Sequence, residues 1–147
     1  MTFHPWRYLR DRPAITFGFA DLQGADACNF PDLDVVLLHE KLKTIPRGQA
    51  RRRSSLAHEI GHRELGHTHC EDRRGASRQC RDAEAYGARL LITLENLIEV
   101  LRWTTDRDEA ADELWVDRLM LDARLTRLHP AERGSLQQAI RTKGEVA

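Results

Sequence analysis

The pentad His58-Glu59-Ile60-Gly61-His62 concentrates more potential chemistry than any other stretch of this sequence. On a helix, residues four apart lie about 40° apart around the axis and about 6 Å apart along it, so His58 and His62 would present two imidazoles side by side. Two such nitrogens can bind one zinc ion. Glu59 is turned by about 100° from His58, which would bring its carboxylate beside an open position of the metal where water binds. Zinc lowers the pKa of that water toward about 7 and polarises a peptide carbonyl, and Glu59 would take the water proton and later pass it to the leaving amine. The spacing therefore predicts metal-assisted peptide hydrolysis, with His58 and His62 as ligands and Glu59 as catalytic base.

Such a pentad needs a helix to carry it and neighbours to close around it. After Pro46-Arg47-Gly48 the pattern becomes helical, with Leu56, Ile60 and Leu65 at helical spacing and Gly66 as a cap; Gly61 is small enough to let another backbone lie close to the metal face. Upstream, Ile15 to Phe19, Ala25 to Phe30 and Val35 to Leu38 read as three short strands, separated by Gly24 and by Pro31-Asp32. A second long helix is predicted from Arg81 to Leu101, with Ala83, Ala88, Leu91, Leu94, Leu97, Ile98 and Leu101 on its apolar face and Glu95 and Glu99 on its wet side. From Asp106 to Ile140 the chain reads as three short helices, broken near Trp115-Val116-Asp117 and at His129-Pro130. Trp6, Trp103 and Trp115 are expected to pack in the core, as large aromatics generally do. The fold expected is α+β, with a small N-terminal sheet packed on a zincin-type helix and a second long helix. Residues 1–104 would form the catalytic body and 105–147 a helix-turn-helix-like tail packed on or beside it.

Composition narrows the setting. Lys plus Arg and Asp plus Glu both number 23, so net charge gives no general pull toward nucleic acid or anionic lipid. Basic residues are concentrated between Glu40 and Asp82, with 11 basic against 6 acidic, as solvated faces or as a basic rim around a substrate groove. No apolar run reaches the roughly 20 residues of a membrane helix, and the start of the chain lacks the pattern of a secretory signal, so a cytoplasmic protein is expected. Three cysteines, Cys28, Cys70 and Cys80, have no framework spacing. They are read as free thiols or metal ligands, with a Cys70 to Cys80 bridge as the alternative. His67, His69 and Cys70 form a second cluster past the catalytic helix, which with Cys80 would be a separate structural zinc site or else a surface loop. His67 could instead stabilise the oxyanion of the tetrahedral intermediate. His4, His39 and His129 are read as structural or surface residues.

A wider pattern supports the pentad. The segment Arg52 to His62, Gly66-His67, Ala88-Arg89-Leu90-Leu91-Ile92, Ala111 to Asp117, Arg124-Leu125 and Leu128 to Arg133 together resemble the ImmA/IrrE family of metallopeptidases in its short form. The resemblance implies a zinc-dependent endopeptidase acting on a protein substrate, typically a helix-turn-helix repressor in phage immunity, mobile-element control or stress response. It also bears on the third ligand, which the family takes from a glutamate four residues before an Asn or Asp on the second helix. Aligned through Tyr86 to Ile92, that ligand position is Cys80 and the Asn/Asp position is Glu84. Two solutions remain open: Cys80 binds as a thiolate with Glu84 supporting an imidazole, or Glu84 itself is the ligand. The tail also opens a DNA-binding alternative, in which the protein regulates a repressor or DNA without cutting. Direct DNA contact is not expected, because the candidate second helix carries Asp117 and Asp122 beside Arg118, Arg124 and Arg127.

Overall fold

A computed structural model describes residues 3–68, 74 and 76–146, and it is α+β. The β-branched and aromatic runs near the start become strands β1 (Thr16–Ala20), β2 (Ala27–Phe30) and β3 (Val35–His39). β3 lies in the middle, parallel to β1 with Phe17 opposite Val36, and antiparallel to β2 with Cys28 opposite Leu37. Val36 and Leu38 are fully buried, as a central strand requires. Asp34, in the left-handed region at φ 51°, turns the chain into β3 after a 3-10 turn over Pro31–Leu33. β1 and β2 each keep one edge with no strand partner among the described residues.

A short helix that the sequence pattern did not reveal, α1 (Pro5–Arg10), precedes the sheet. It is too short for a periodic signal, but Pro5 at its first position starts it well. The pentad lies on α2 (Gly48–Glu64), which packs antiparallel on α3 (Arg78–Leu91). Their backbones touch. A Cβ on Gly61 would stand 2.3 Å from the Ala83 carbonyl oxygen, and one on Gly87 2.7 Å from that of Ala57. Leu56 and Ile60 face the sheet with Val36 and Ile15, while Ala57 faces the helical core.

The predicted helix from Arg81 to Leu101 is in fact two. α3 ends at Leu91, Ile92 is extended, and the Thr93 side chain accepts from the Asn96 backbone N–H to start α4 (Leu94–Leu101). Two successive β-branched residues, one of them a good N-cap, outweigh the continuous apolar face. The tail follows the expected breaks, as α5 (Arg107–Glu113), α6 (Arg118–Thr126) and α7 (Pro130–Val146). One core cluster joins Ala57, Leu91 and Leu97 to Ala111, Met120, Leu121 and Leu136, so the tail shares its core with the body. Arg124 locks this arrangement from inside: 3% exposed, it donates to the Ile92 carbonyl and to both oxygens of Glu132.

The tryptophans depart from expectation. Trp6, Trp103 and Trp115 are 41%, 49% and 57% exposed. After α5 the backbone of Trp115 turns left-handed, sending the indole outward while the smaller Ala111 and Val116 take the buried places. No helix among the described residues is long and apolar enough to cross a membrane.

Candidate metal centre

His58 and His62 meet as their spacing predicts. Their rings are edge-on, 4.6 Å between centroids, and the Nε2 atoms are 3.0 Å apart. The Cys80 sulfur, near the start of α3, is 3.9 Å from Nε2 of His62. The glycine contacts between α2 and α3 make this approach possible, because an ordinary side chain at Gly61 would hold Cys80 away. His58, His62 and Cys80 thus form a buried group, each offering one ligand atom within 4.8 Å of the others, that could hold a metal ion. Glu59 is buried beside them at 1% exposure.

Both imidazoles are held from behind. Nδ1 of His62 is 2.8 Å from Nδ1 of His67, so His67 orients the His62 ring. Nδ1 of His58 lies 3.5 Å from a Glu84 oxygen. Glu84 in turn receives Nε of Arg74 at 2.7 and 2.9 Å, and the same guanidinium reaches both oxygens of Asp117 at the start of α6. Of the two third-ligand candidates, Cys80 joins the donor group, whereas both oxygens of Glu84 are occupied by Arg74. Asp117 is also the N-cap of α6, and its backbone N–H donates to Ser54 of α2, so the tail is tied to α2 at this point.

Electrostatics keeps the donors in usable states. Burial, then the neighbouring His58 and His67, lowers the His62 pKa from 6.5 to about 3, which leaves its ring neutral with a lone pair to give. Burial pushes Glu84 upward, but Arg74 and the contact with His58 outweigh it and hold the carboxyl below its ordinary value. Cys80, read as a thiol or ligand, is disulfide-bonded in this structure, so the metal-competent form of the group is the reduced one. Cys28 is free. Cys70 and His69, and with them the alternative bridge and the second metal cluster, lie outside the described residues.

A cavity of about 250 Å³ is lined by Tyr8, Arg12, Arg63 and His67 among others and reaches the group only through His67, which touches His62. The arginines of α2 and its N-cap Arg47 are largely paired: Arg51 with Asp26, Arg63 with Asp34, Arg47 with Asp112, while Arg53 donates to the carbonyls of Leu114 and Trp115. His39 is buried against Asp21, while His4 and His129 are exposed. Arg74 and Asp117 are the site residues that motif reasoning missed. They stand 10 residues before and 33 residues after Glu84, a separation with no recognisable spacing. Compared with known proteins, the chain matches no family model, no curated protein and no solved structure.

Proposed function

We propose that this chain is a zinc-dependent endopeptidase, with His58, His62 and Cys80 as ligands and Glu59 as general base. The observation that carries the reading is the buried convergence of two imidazole nitrogens and a sulfur on the helix that also bears Glu59. The donor set fits zinc in type, since two imidazoles and a thiolate suit a borderline-soft ion. It fits in spacing as well. Nitrogens bound tetrahedrally at about 2.0 Å sit about 3.3 Å apart, near the 3.0 Å between the two histidines.

Zinc, when bound, would supply Lewis acidity and a water of lowered pKa. The protein's own groups do the rest. Glu59 accepts a proton on its carboxylate and returns it to the departing amine. Glu84 and His67 fix the two ligand rings, which keeps their Nε2 atoms aimed at a common point. A further role for His67 as oxyanion donor would fall to its other ring nitrogen. The unpaired edge of β2, whose Asn29 approaches Arg63 of the metal-bearing helix at 3.4 Å, offers an extended substrate a place to add as a strand. The protein substrate, by the resemblance to ImmA/IrrE peptidases, is a transcriptional repressor. A cytoplasmic setting agrees with the need for a reduced Cys80. Direct DNA binding is disfavoured by the pairing on α6, where Arg118 meets Asp108 and Asp122, Arg124 meets Glu132 and Arg127 meets Asp82.

Burial favours a second reading. His58, His62 and Cys80 are 1%, 2% and 0% exposed, as in a closed site that stabilises a fold and cuts nothing. One experiment separates the two. Reduced, zinc-loaded protein and its Glu59→Gln variant are incubated with a library of repressor-derived peptides and the products read by mass spectrometry. Cleavage by the wild type alone, with zinc retained by both, is the expected result. Zinc retention without cleavage by either leaves the structural reading, and failure of the wild type to take up any metal sinks both.

A further inference from the structure

The end of the α2–α3 pair away from the metal group opens into a cavity of about 560 Å³. All three tryptophans of the chain line it, and each leaves 41% or more of its surface in solvent. Scattered exposed aromatics are ordinary, but three converging from α1, the end of α4 and the end of α5 on one concavity form a patch of the kind that marks binding surfaces.

The backbone reinforces this. Trp115 holds φ at 59°, a region costly for a large L-residue. Its conformation is imposed from below by the Arg53 guanidinium, which donates to the carbonyls of Leu114 and Trp115, and by Ser54, which takes the Asp117 N–H. Two side chains, through three hydrogen bonds, thus hold an indole that stands 57% in solvent.

Charge states what fits. Glu99 and Glu113 line the same cavity, exposed and in no ion pair among the described residues. Arg53, the one arginine of the lining, lies partly buried with its guanidinium spent on the two carbonyls, and His4 is exposed. Indole faces beside unpaired carboxylates suit a cation carried on an apolar stem, and guanidinium does this better than ammonium because it stacks flat on aromatic rings and bridges carboxylates.

We infer that this groove binds an arginine-bearing apolar segment of a partner protein. The stem of the arginine lies on the tryptophans, its guanidinium meets Glu99 and Glu113, and flanking apolar side chains fill the space over Leu91 and Leu114. None of these residues belongs to the metal group, so the inference stands apart from the zinc reading.

Because every tryptophan lines the groove, indole emission of the full chain reports on this surface alone. Two probe peptides of equal length, one alternating leucine with arginine and the other leucine with glutamate, are titrated and followed by fluorescence and calorimetry. The arginine peptide is expected to saturate with a dissociation constant on the order of micromolar to tens of micromolar. The Glu99→Gln/Glu113→Gln double variant, whose unchanged thermal unfolding verifies its fold, should weaken that binding about tenfold while leaving the indoles intact as reporters. Equal binding of the two peptides, binding of neither, or no loss in the double variant overturns the proposal. So does self-association of the chain in sedimentation that Trp115→Ala abolishes, which would make the groove a contact between copies.

Discussion

At one end of the α2–α3 pair, His58, Glu59, His62 and Glu84 are buried to 3% exposure or less; at the other, Trp6, Trp103 and Trp115 stand 41% to 57% in solvent. Folding alone would reverse both, since burying polar groups costs free energy and exposing indoles forgoes it. The two ends differ in how they are held. Buried polarity is kept by a chain of charged contacts from His58 through Glu84 and Arg74 to Asp117, so each member depends on the next. At Trp115 exposed apolarity is kept by backbone clamps from Arg53 and Ser54, whereas Trp6 packs edge-on against Phe17 of β1. Substitutions should therefore be costly at the first end and cheap at Trp115.

The largest effect is expected at the ligands. In reduced protein, His62→Ala should lower zinc affinity by more than about a hundredfold in chelator competition, beyond the range of supporting residues. Oxidised wild type should take up little zinc, because its Cys80 sulfur is in a disulfide. Full zinc binding by His62→Ala would leave the buried polar end without its reason.

Next comes Arg74→Gln, which removes the cation between Glu84 and Asp117. Leaving Glu84 buried without it should destabilise the metal-free protein by about 3–5 kcal/mol in chemical denaturation, and zinc affinity should fall about 10- to 100-fold. Restoration of most of that affinity by Arg74→Lys would separate the role of charge from that of shape. No change in zinc affinity would mean that the tail and the metal group are independent.

A pH dependence should follow from His62. Burial lowers its folded pKa from 6.5 to about 3, so between these values the unfolded chain binds a proton that the folded chain refuses. This contribution is whole above pH 6.5 and is lost as pH falls toward 3, so metal-free protein should lose stability across that window. His62→Gln should flatten the slope of the denaturation midpoint against pH, whereas groove variants should not.

The smallest effect is expected at Trp115. Replacing it with glycine relieves the left-handed strain but adds disorder to the unfolded chain, so stability should change by less than about 1 kcal/mol in either direction. A loss of several kcal/mol would show that the indole supports the fold after all.

How much of this could be read from the sequence follows from the range of each interaction. The pentad and the three strands depend on periodicity within a few residues, and both were legible. Cys80 was placed with the two histidines through the family-like register around Tyr86 to Ile92, and it is the candidate that joins them. Arg74 was invisible because its partners lie 10 and 43 residues away and no local rule connects them. The restart at Thr93 was hidden by apolar spacing that continues across it. Trp115 misled because residue type alone says that an indole is better buried, while a single left-handed backbone turn there sends it outward.

Gly61 and Gly87 have a mechanical consequence. Helices normally meet through side chains that act as compliant spacers, but here carbonyl oxygens of Ala83 and Ala57 rest directly where a Cβ would be. Sliding α2 along α3 by one residue would drive side chains into those carbonyls, which leaves rotation about the two contacts as the easier displacement. The contacts bracket His58 and adjoin His62, so the candidate metal group sits at the stiffest part of the pair, while the groove lies at the start of α2, about 20 Å from Gln49 to His62. Gly61→Ala would force α2 and α3 apart at this point and should disturb the candidate metal group while leaving the groove in place.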